Sequence, residues 1–95
     1  MQLLLSPEAQ SDLADILLYT LQRWGEEQQD RYVAALDRGL LLLQENPEIG
    51  RGRPDLFPRC RSYRVREHII YYGLHEGAVV VFRVLHGRMD ATRHF

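Results

Sequence analysis

The chain has 95 residues, 45% of them apolar and 26% charged, with a net charge of −1. That is the size of one domain with one modest core, burying roughly 60–65% of its unfolded surface. No apolar run approaches the ~18 residues of a membrane helix and no secretory leader opens the chain, so the sequence points to a single cytoplasmic domain over residues 1–95 with no membrane partner.

The small net charge hides a division. Residues 1–50 carry three arginines against nine Asp/Glu, and residues 51–95 carry nine arginines against four. A basic half of this kind favours an acidic partner. All twelve cations are arginines, whose planar fork suits carboxylate and phosphate. Cys60 is the only cysteine, so no internal disulfide forms, and it reads as a strand residue rather than a nucleophile.

In chain order, MQLLL is a short first strand. Ser6-Pro7-Glu8 then opens a helix, with Ser as N-cap, Pro at the first helical position and an acid in the first turn. This helix runs to about Trp24, with Ala9, Leu13, Ile16, Leu17, Leu21 and Trp24 as its apolar stripe. Asp12 and Asp15 fall off the stripe and read as solvated. Gly25 breaks the helix, and Glu26-Glu27 start a second with the sign the helix dipole prefers. The second helix reaches about Glu45, with Tyr32, Val33, Leu36, Leu40 and Leu43 facing inward. Ala35 and Gly39 are small enough to let the two helices approach, although a helical glycine costs about 1 kcal/mol. Asn46-Pro47 stops the helix, and the Gly/Pro-rich loop to Pro58 is held by Leu56 and Phe57. After the last strand, GRMDATRHF reads as a helical turn or a frayed tail.

The segment from Arg59 to Arg88 reads as three antiparallel strands. Glu76-Gly77 between β-rich runs is a two-residue hairpin turn, setting His75 against Ala78, Leu74 against Val79, Tyr72 against Val81 and Ile70 against Arg83. Ile69, Tyr71, Gly73, Val80, Phe82 and Val84 then share a charge-free face, which the sequence assigns to the core beneath the helices. For the preceding turn, a two-residue link at Arg66-Glu67 would set Arg64 beside Ile69 on that face, at a cost of several kcal/mol if unpaired, roughly. A three-residue loop, Arg66-Glu67-His68, avoids this and turns Tyr63 and Val65 inward. Arg64, Ile70 and Arg83 would then form a row on the open face, with Tyr72 as the one aromatic residue well placed on that face. Such a row suits an anionic partner, or is a solvated face lying over apolar neighbours.

His68, His75, His86 and His94 do not combine with Cys60 at any metal spacing, and there is no phosphate loop or nucleophile elbow, so no cofactor is expected. His86, among Arg83, Arg88 and Asp90, is either a general acid or base or a residue that hydrogen-bonds the strand end.

The order β-α-α-β-β-β, a helical hairpin on one face of a small antiparallel sheet in the α+β class, resembles the RelE/ParE toxin superfamily. The stretches SPEAQSDLADI, NPEIGRGRPDL and FRVLHGRMD are similar to its ParE branch, also known as plasmid-stabilisation proteins, over nearly the whole chain. The resemblance implies the toxin of a type II toxin–antitoxin pair, neutralised by a cognate antitoxin and directed at DNA gyrase, without sequence-specific nucleic acid binding. RelE-type relatives instead cleave mRNA on the ribosome, which is the alternative. Arg64 and Arg66 match the basic second strand of those nucleases and Arg88 their C-terminal cation. Ile69 and Ile70 stand where the third strand would need a cation, and the tail has Phe95 in place of a tyrosine. RNA cleavage needs a proton acceptor as well as cations, and arginine is a poor base. The resemblance therefore implies a non-enzymatic toxin that acts by binding, with Arg59, Arg61, Arg64, Arg66, Tyr72, Arg83, His86 and Arg88 as candidate contacts for antitoxin or target. An acidic antitoxin segment is expected on the Arg64–Arg83 row, and an amphipathic one against Leu18, Tyr19, Leu41 and Leu42.

Overall fold

The computed structural model describes Met1–Phe95. Strand β1 (Gln2–Leu5) leads into helix α1 (Pro7–Trp24), then α2 (Glu26–Glu45), β2 (Arg51–Gly52), β3 (Arg61–Val65), β4 (His68–His75) and β5 (Ala78–His86), and the chain closes with a 3₁₀ turn at Ala91–His94. The sheet order is β1-β5-β4-β3-β2. The α+β order read from sequence holds, with two refinements. The Gly/Pro-rich loop contributes the two-residue edge strand β2, and β1 lies parallel to β5, so the sheet is mixed rather than purely antiparallel.

Ser6 joins the first helix to the sheet. Its hydroxyl accepts from Ala9 N–H at 3.0 Å, capping α1, and donates to Phe82 C=O at 2.8 Å. Its own N–H reaches Val81 C=O at 2.9 Å. Gly25 turns the chain at a φ of 90°, which only glycine adopts without strain. The helices bury Ala9, Tyr32, Leu36, Leu40 and Leu43 against Val65, Ile70, Tyr72, Val79, Val81 and Val84, with Leu13, Ile16 and Leu17 packed around them. Trp24, which the periodicity places on the stripe of α1, is instead 65% exposed.

The face beneath the helices is the reverse of the one the sequence selects on β4. Ile70 and Tyr72 are fully buried under the helices, whereas Tyr71 and Ile69 belong to a second cluster with Cys60, Leu85 and Ala91. Leu56 and Phe57 of the loop cover that second face, and the rings of Phe57, Phe82, Tyr71 and Phe95 meet edge-on or tilted across it. Absence of charge marks this face correctly as buried, but its cover is the loop and the tail. The two polar side chains of β4 and β5 that reach the helical layer each have a partner there: His68 meets Tyr32, and Arg83 meets Asp12.

The turn at Glu76-Gly77 forms as expected, with positive φ at both positions and His75↔Ala78, Leu74↔Val79 and Tyr72↔Val81 paired. Beyond Tyr72 the ladder shifts. Tyr71 pairs with Arg83 and Ile70 with Val84, leaving Phe82 unmatched as a β-bulge. Val81 and Val84 consequently both face the helices. The β3–β4 link is the two-residue turn at Arg66-Glu67, with Val65↔His68 and Arg64↔Ile69. The three-residue loop expected from the sequence serves only to keep Arg64 out of the core. Arg64 does oppose Ile69, but that side is open here, and its Nε donates to Arg66 C=O at 2.7 Å.

Gly39 faces the sheet rather than α1. A Cβ built there would sit 2.6 Å from Val65 Cγ2, so the glycine permits α2 to lie directly on β3. Gly39→Ala should therefore lower unfolding stability by about 1–3 kcal/mol through overpacking, despite a helix-propensity gain of about 1 kcal/mol. The double variant Gly39→Ala/Val65→Ala should lose less than the sum of the two single losses. Urea titrations check both statements, and a Gly39→Ala protein more stable than the parent would contradict them.

Candidate functional site

Of the candidate residues, Arg83 is the most fully engaged. Its Nε and Nη2 donate to Asp12 Oδ2 and Oδ1 at 2.8 and 2.9 Å, and Asp12 Oδ2 also accepts from Val84 N–H at 2.9 Å. The side chains are only 22% and 14% exposed, so the bidentate pair is largely shielded from water. Burial raises the Asp12 pKa, but the hydrogen bonds from Arg83 and Val84 outweigh it and hold the carboxyl below its ordinary value. Asp12 is thus an anchor of α1 to the bulge, not a solvated residue.

This pairing removes the expected row of Arg64, Ile70 and Arg83. Arg83 pairs across the strands with Tyr71 and its guanidinium is bound by Asp12 of α1, Ile70 lies beneath the helices, and Arg64 is exposed opposite Ile69. The acidic segment expected on that row has no such surface to meet. Tyr72 also leaves the site. It is fully buried, and its phenol donates to Pro47 C=O at 2.8 Å and accepts from Gly50 N–H at 2.9 Å, holding the loop after α2.

The remaining candidates gather at the two ends of β3. At its start, Arg61 Nη1 donates to Glu48 and Gly50 carbonyls at 2.9 and 2.8 Å, and exposed Arg59 adopts a φ of 64° beside it. At its end, Arg64, Arg66, His86 and Arg88 surround the β3–β4 turn. Arg66 has a φ of 52° and stands 5.9 Å over the Tyr32 ring. Gly87 N–H reaches Glu67 C=O at 2.8 Å and draws the end of β5 against this turn. A Cβ at Gly87 would lie 3.0 Å from the Arg64 guanidinium, so the close approach uses the glycine. Arg64, Arg66 and Arg88 are exposed and pair with no carboxylate. Arg53, by contrast, is held by Asp55 through two hydrogen bonds at 3.0 and 2.9 Å.

Beside this second cluster is a cleft of about 550 Å³ between the tip of the helical hairpin and the ends of β4 and β5, with Tyr19, Trp24, Tyr32, His68, His86 and Met89 on its walls. His68 and His86 are cross-strand partners with ring centroids 5.3 Å apart. The Tyr32 hydroxyl bonds His68 Nδ1, and Arg88 N–H donates to His86 Nδ1 at 3.1 Å. His86 thus hydrogen-bonds the strand end, one of the two roles its sequence context allowed. Burial, with the neighbouring His86, lowers the His68 pKa. The sequence does not reveal Tyr32–His68, because His68 shares with Ile70 and Tyr72 the side of β4 that the sequence assigns to the open face. Burial pushes the Cys60 thiol up to about 11, the signature of a core residue rather than a nucleophile. No three His, Cys, Asp or Glu side chains converge to hold a metal, and no helix is long and apolar enough to cross a membrane.

A helical hairpin capping one side of a five-stranded sheet, with free guanidiniums at the sheet's ends, defines a small α+β domain, and comparison with known proteins gives it a family. The family model for the ParE toxin of type II toxin–antitoxin systems matches residues 3–91. Toxin ParE1 of Mycobacterium tuberculosis is 38% identical over 92 residues, covering 96% of this chain and 94% of its own. Toxin ParE1 of Caulobacter vibrioides is 37% identical over 95 residues, covering 95% and 93%, and Toxin ParE of Escherichia coli is 34% identical over 88 residues, covering 92% and 85%. The fold also matches a solved structure of the chromosomal ParDE toxin–antitoxin system from P. aeruginosa, with a TM-score of 0.77 at 20% identity over 90% of this chain and 95% of that one. The chain belongs to the ParE toxin family of type II toxin–antitoxin systems.

Two titrations follow from the site. Asp12 has a folded pKa below its unfolded value of 3.8, so its contribution is complete above that pH and is lost as pH falls through the lower folded value. Asp12→Ala should cost about 2–4 kcal/mol at neutral pH by stranding Arg83 and Val84 N–H, and that deficit should shrink in strong acid. His68 titrates below its ordinary 6.5, so the unfolded chain takes up the proton first. Its contribution is complete above 6.5 and falls as pH drops from there toward the folded value. Urea unfolding at about pH 5 and about pH 7.5 should show a loss in acid that His68→Asn reduces. An unchanged pH dependence in that variant would contradict the assignment.

Proposed function

We propose that this toxin acts by binding rather than by catalysis. In this reading it inhibits DNA gyrase in the cytoplasm through the basic end of the sheet formed by Arg64, Arg66 and Arg88, and a cognate antitoxin neutralises it. The observation that carries the proposal is the exposure of these three guanidiniums without carboxylate partners, in a chain of the ParE family. Free arginines around a fixed turn suit an acidic protein surface, because charge complementarity steers encounter and fixes register.

The chemistry nearby favours binding over RNA cleavage. Arg83 is committed to Asp12, and the Nδ1 atoms of His68 and His86 are committed to Tyr32 and Arg88 N–H. To hold a phosphate Arg83 would have to leave Asp12, and the unpaired arginines are poor proton acceptors. For the antitoxin, Leu18, Tyr19, Leu41 and Leu42 remain exposed on the helices, as the sequence anticipates, and offer apolar area to an amphipathic segment.

The test is a supercoiling assay with purified gyrase, alongside translation of a reporter mRNA. The toxin should inhibit supercoiling and leave ribosome-bound mRNA uncut. Arg64→Glu/Arg66→Glu/Arg88→Glu should remain folded and lose inhibition by about a hundredfold, on the scale of several interface charges reversed. Cleavage of the mRNA with supercoiling unaffected would overturn the proposal.

A further inference from the structure

At the opposite end of β3 from the proposed target surface lies a separate cleft of about 450 Å³, between the loop after α2 and the ends of β3 and β4. Arg59, Arg61, Pro47, Gly52 and Leu74 line it, with Glu48 as its one carboxylate. From its construction we propose that this cleft, together with the open edge of β2, is a docking site for an extended acidic peptide segment of a protein partner.

Arg61 is the fixed element. Its Nη1 is taken by the carbonyls of Glu48 and Gly50, which sit on a loop that Tyr72 fastens from below. The guanidinium is therefore held in place before any ligand arrives. The Nε–Nη2 edge has no partner within the chain, and that is the edge whose two parallel N–H groups match a carboxylate. Arg59 lines the same cleft, is exposed and bonds nothing. Arg51, on the adjacent edge strand, is also exposed and without an ion-pair partner. Three guanidiniums against Glu48 leave a local positive excess.

The backbone selects a strand. β2 pairs with β3 alone, so the outer side of Arg51–Gly52 carries unpaired peptide groups. A side chain at Gly52 would meet nothing within 4 Å, so the face of β2 at that residue is open. An extended segment can hydrogen-bond along this edge while an alternating acidic side chain reaches Arg61 and Arg59. A phosphodiester chain would satisfy the charges but not the edge, so the observations favour peptide over nucleic acid.

The test uses the full chain and two fluorescent probes of equal charge: a short peptide alternating valine and glutamate, and a single-stranded oligothymidine. Anisotropy should show saturable binding of the peptide that weakens with salt. Arg59→Glu bonds nothing in the fold and should weaken peptide binding by about tenfold or more, whereas Arg88→Glu at the far end should leave it within about twofold. Arg61→Lys keeps the charge, loses the two-pronged edge and should weaken binding as well. Thermal melts confirm that each variant is folded, and Arg59→Glu alone decides the matter if Arg61→Lys is not. Absence of saturable peptide binding, equal losses from Arg59→Glu and Arg88→Glu, or tighter binding of the oligothymidine than of the peptide would each overturn the proposal. None of these outcomes bears on gyrase inhibition.

Discussion

The carboxylate of Asp12 holds the architecture together at its least regular point. The bulge at Phe82 interrupts the β5 ladder, and the backbone N–H of Val84 just beyond it turns to the helix layer for an acceptor. One carboxylate oxygen accepts that N–H and the Arg83 Nε together. Removing one member of such a partly shielded pair costs about 2–4 kcal/mol, a large fraction of the 5–15 kcal/mol that holds a typical domain folded. The same contact lets Val81 and Val84 both face the helices, giving β5 an apolar side on each half of the bulge.

This constraint also sorts the arginines. Arg83 is spent on α1, Arg53 on Asp55, and one nitrogen of Arg61 on the loop after α2. The cations left to meet partners stand at the two ends of β3, separated by the length of the strand. One end is framed by the β3–β4 turn, His86 and Gly87, and the other by the edge strand β2. Two basic ends rather than one basic face would let a toxin of this size engage separate partners without competition for the same guanidiniums.

Much of the fold was legible in the sequence. The Ser6-Pro7 cap, the Gly25 break and the Glu76-Gly77 turn each rest on local chemistry, and each forms as read. The faces of the sheet were not legible, for a physical reason. Both sides of β4 are apolar, so alternation does not say which side the helices take, and Phe57 and Phe95 cover the other. The bulge then shifts the register by one residue, so Arg83 pairs with Tyr71 rather than with Ile70, and Asp12 binds its guanidinium. No local signal in VVVFRVLH marks Phe82 as the unmatched residue. Tyr72 was misplaced for the same reason, and with it the open aromatic surface. What the family-like motifs conveyed was the whole topology at once, which no single residue could.

The claim that Arg83 secures the fold and does not touch a partner is tested most directly by the double variant Asp12→Asn/Arg83→Met. The asparagine oxygen can still accept Val84 N–H, and methionine fills the space of the arginine stem, so both charges leave together and no group is stranded. With gyrase as the proposed target, the account predicts a folded protein whose effect on supercoiling equals that of the parent. A double variant that folds normally yet no longer inhibits would place Arg83 at the target surface and contradict it.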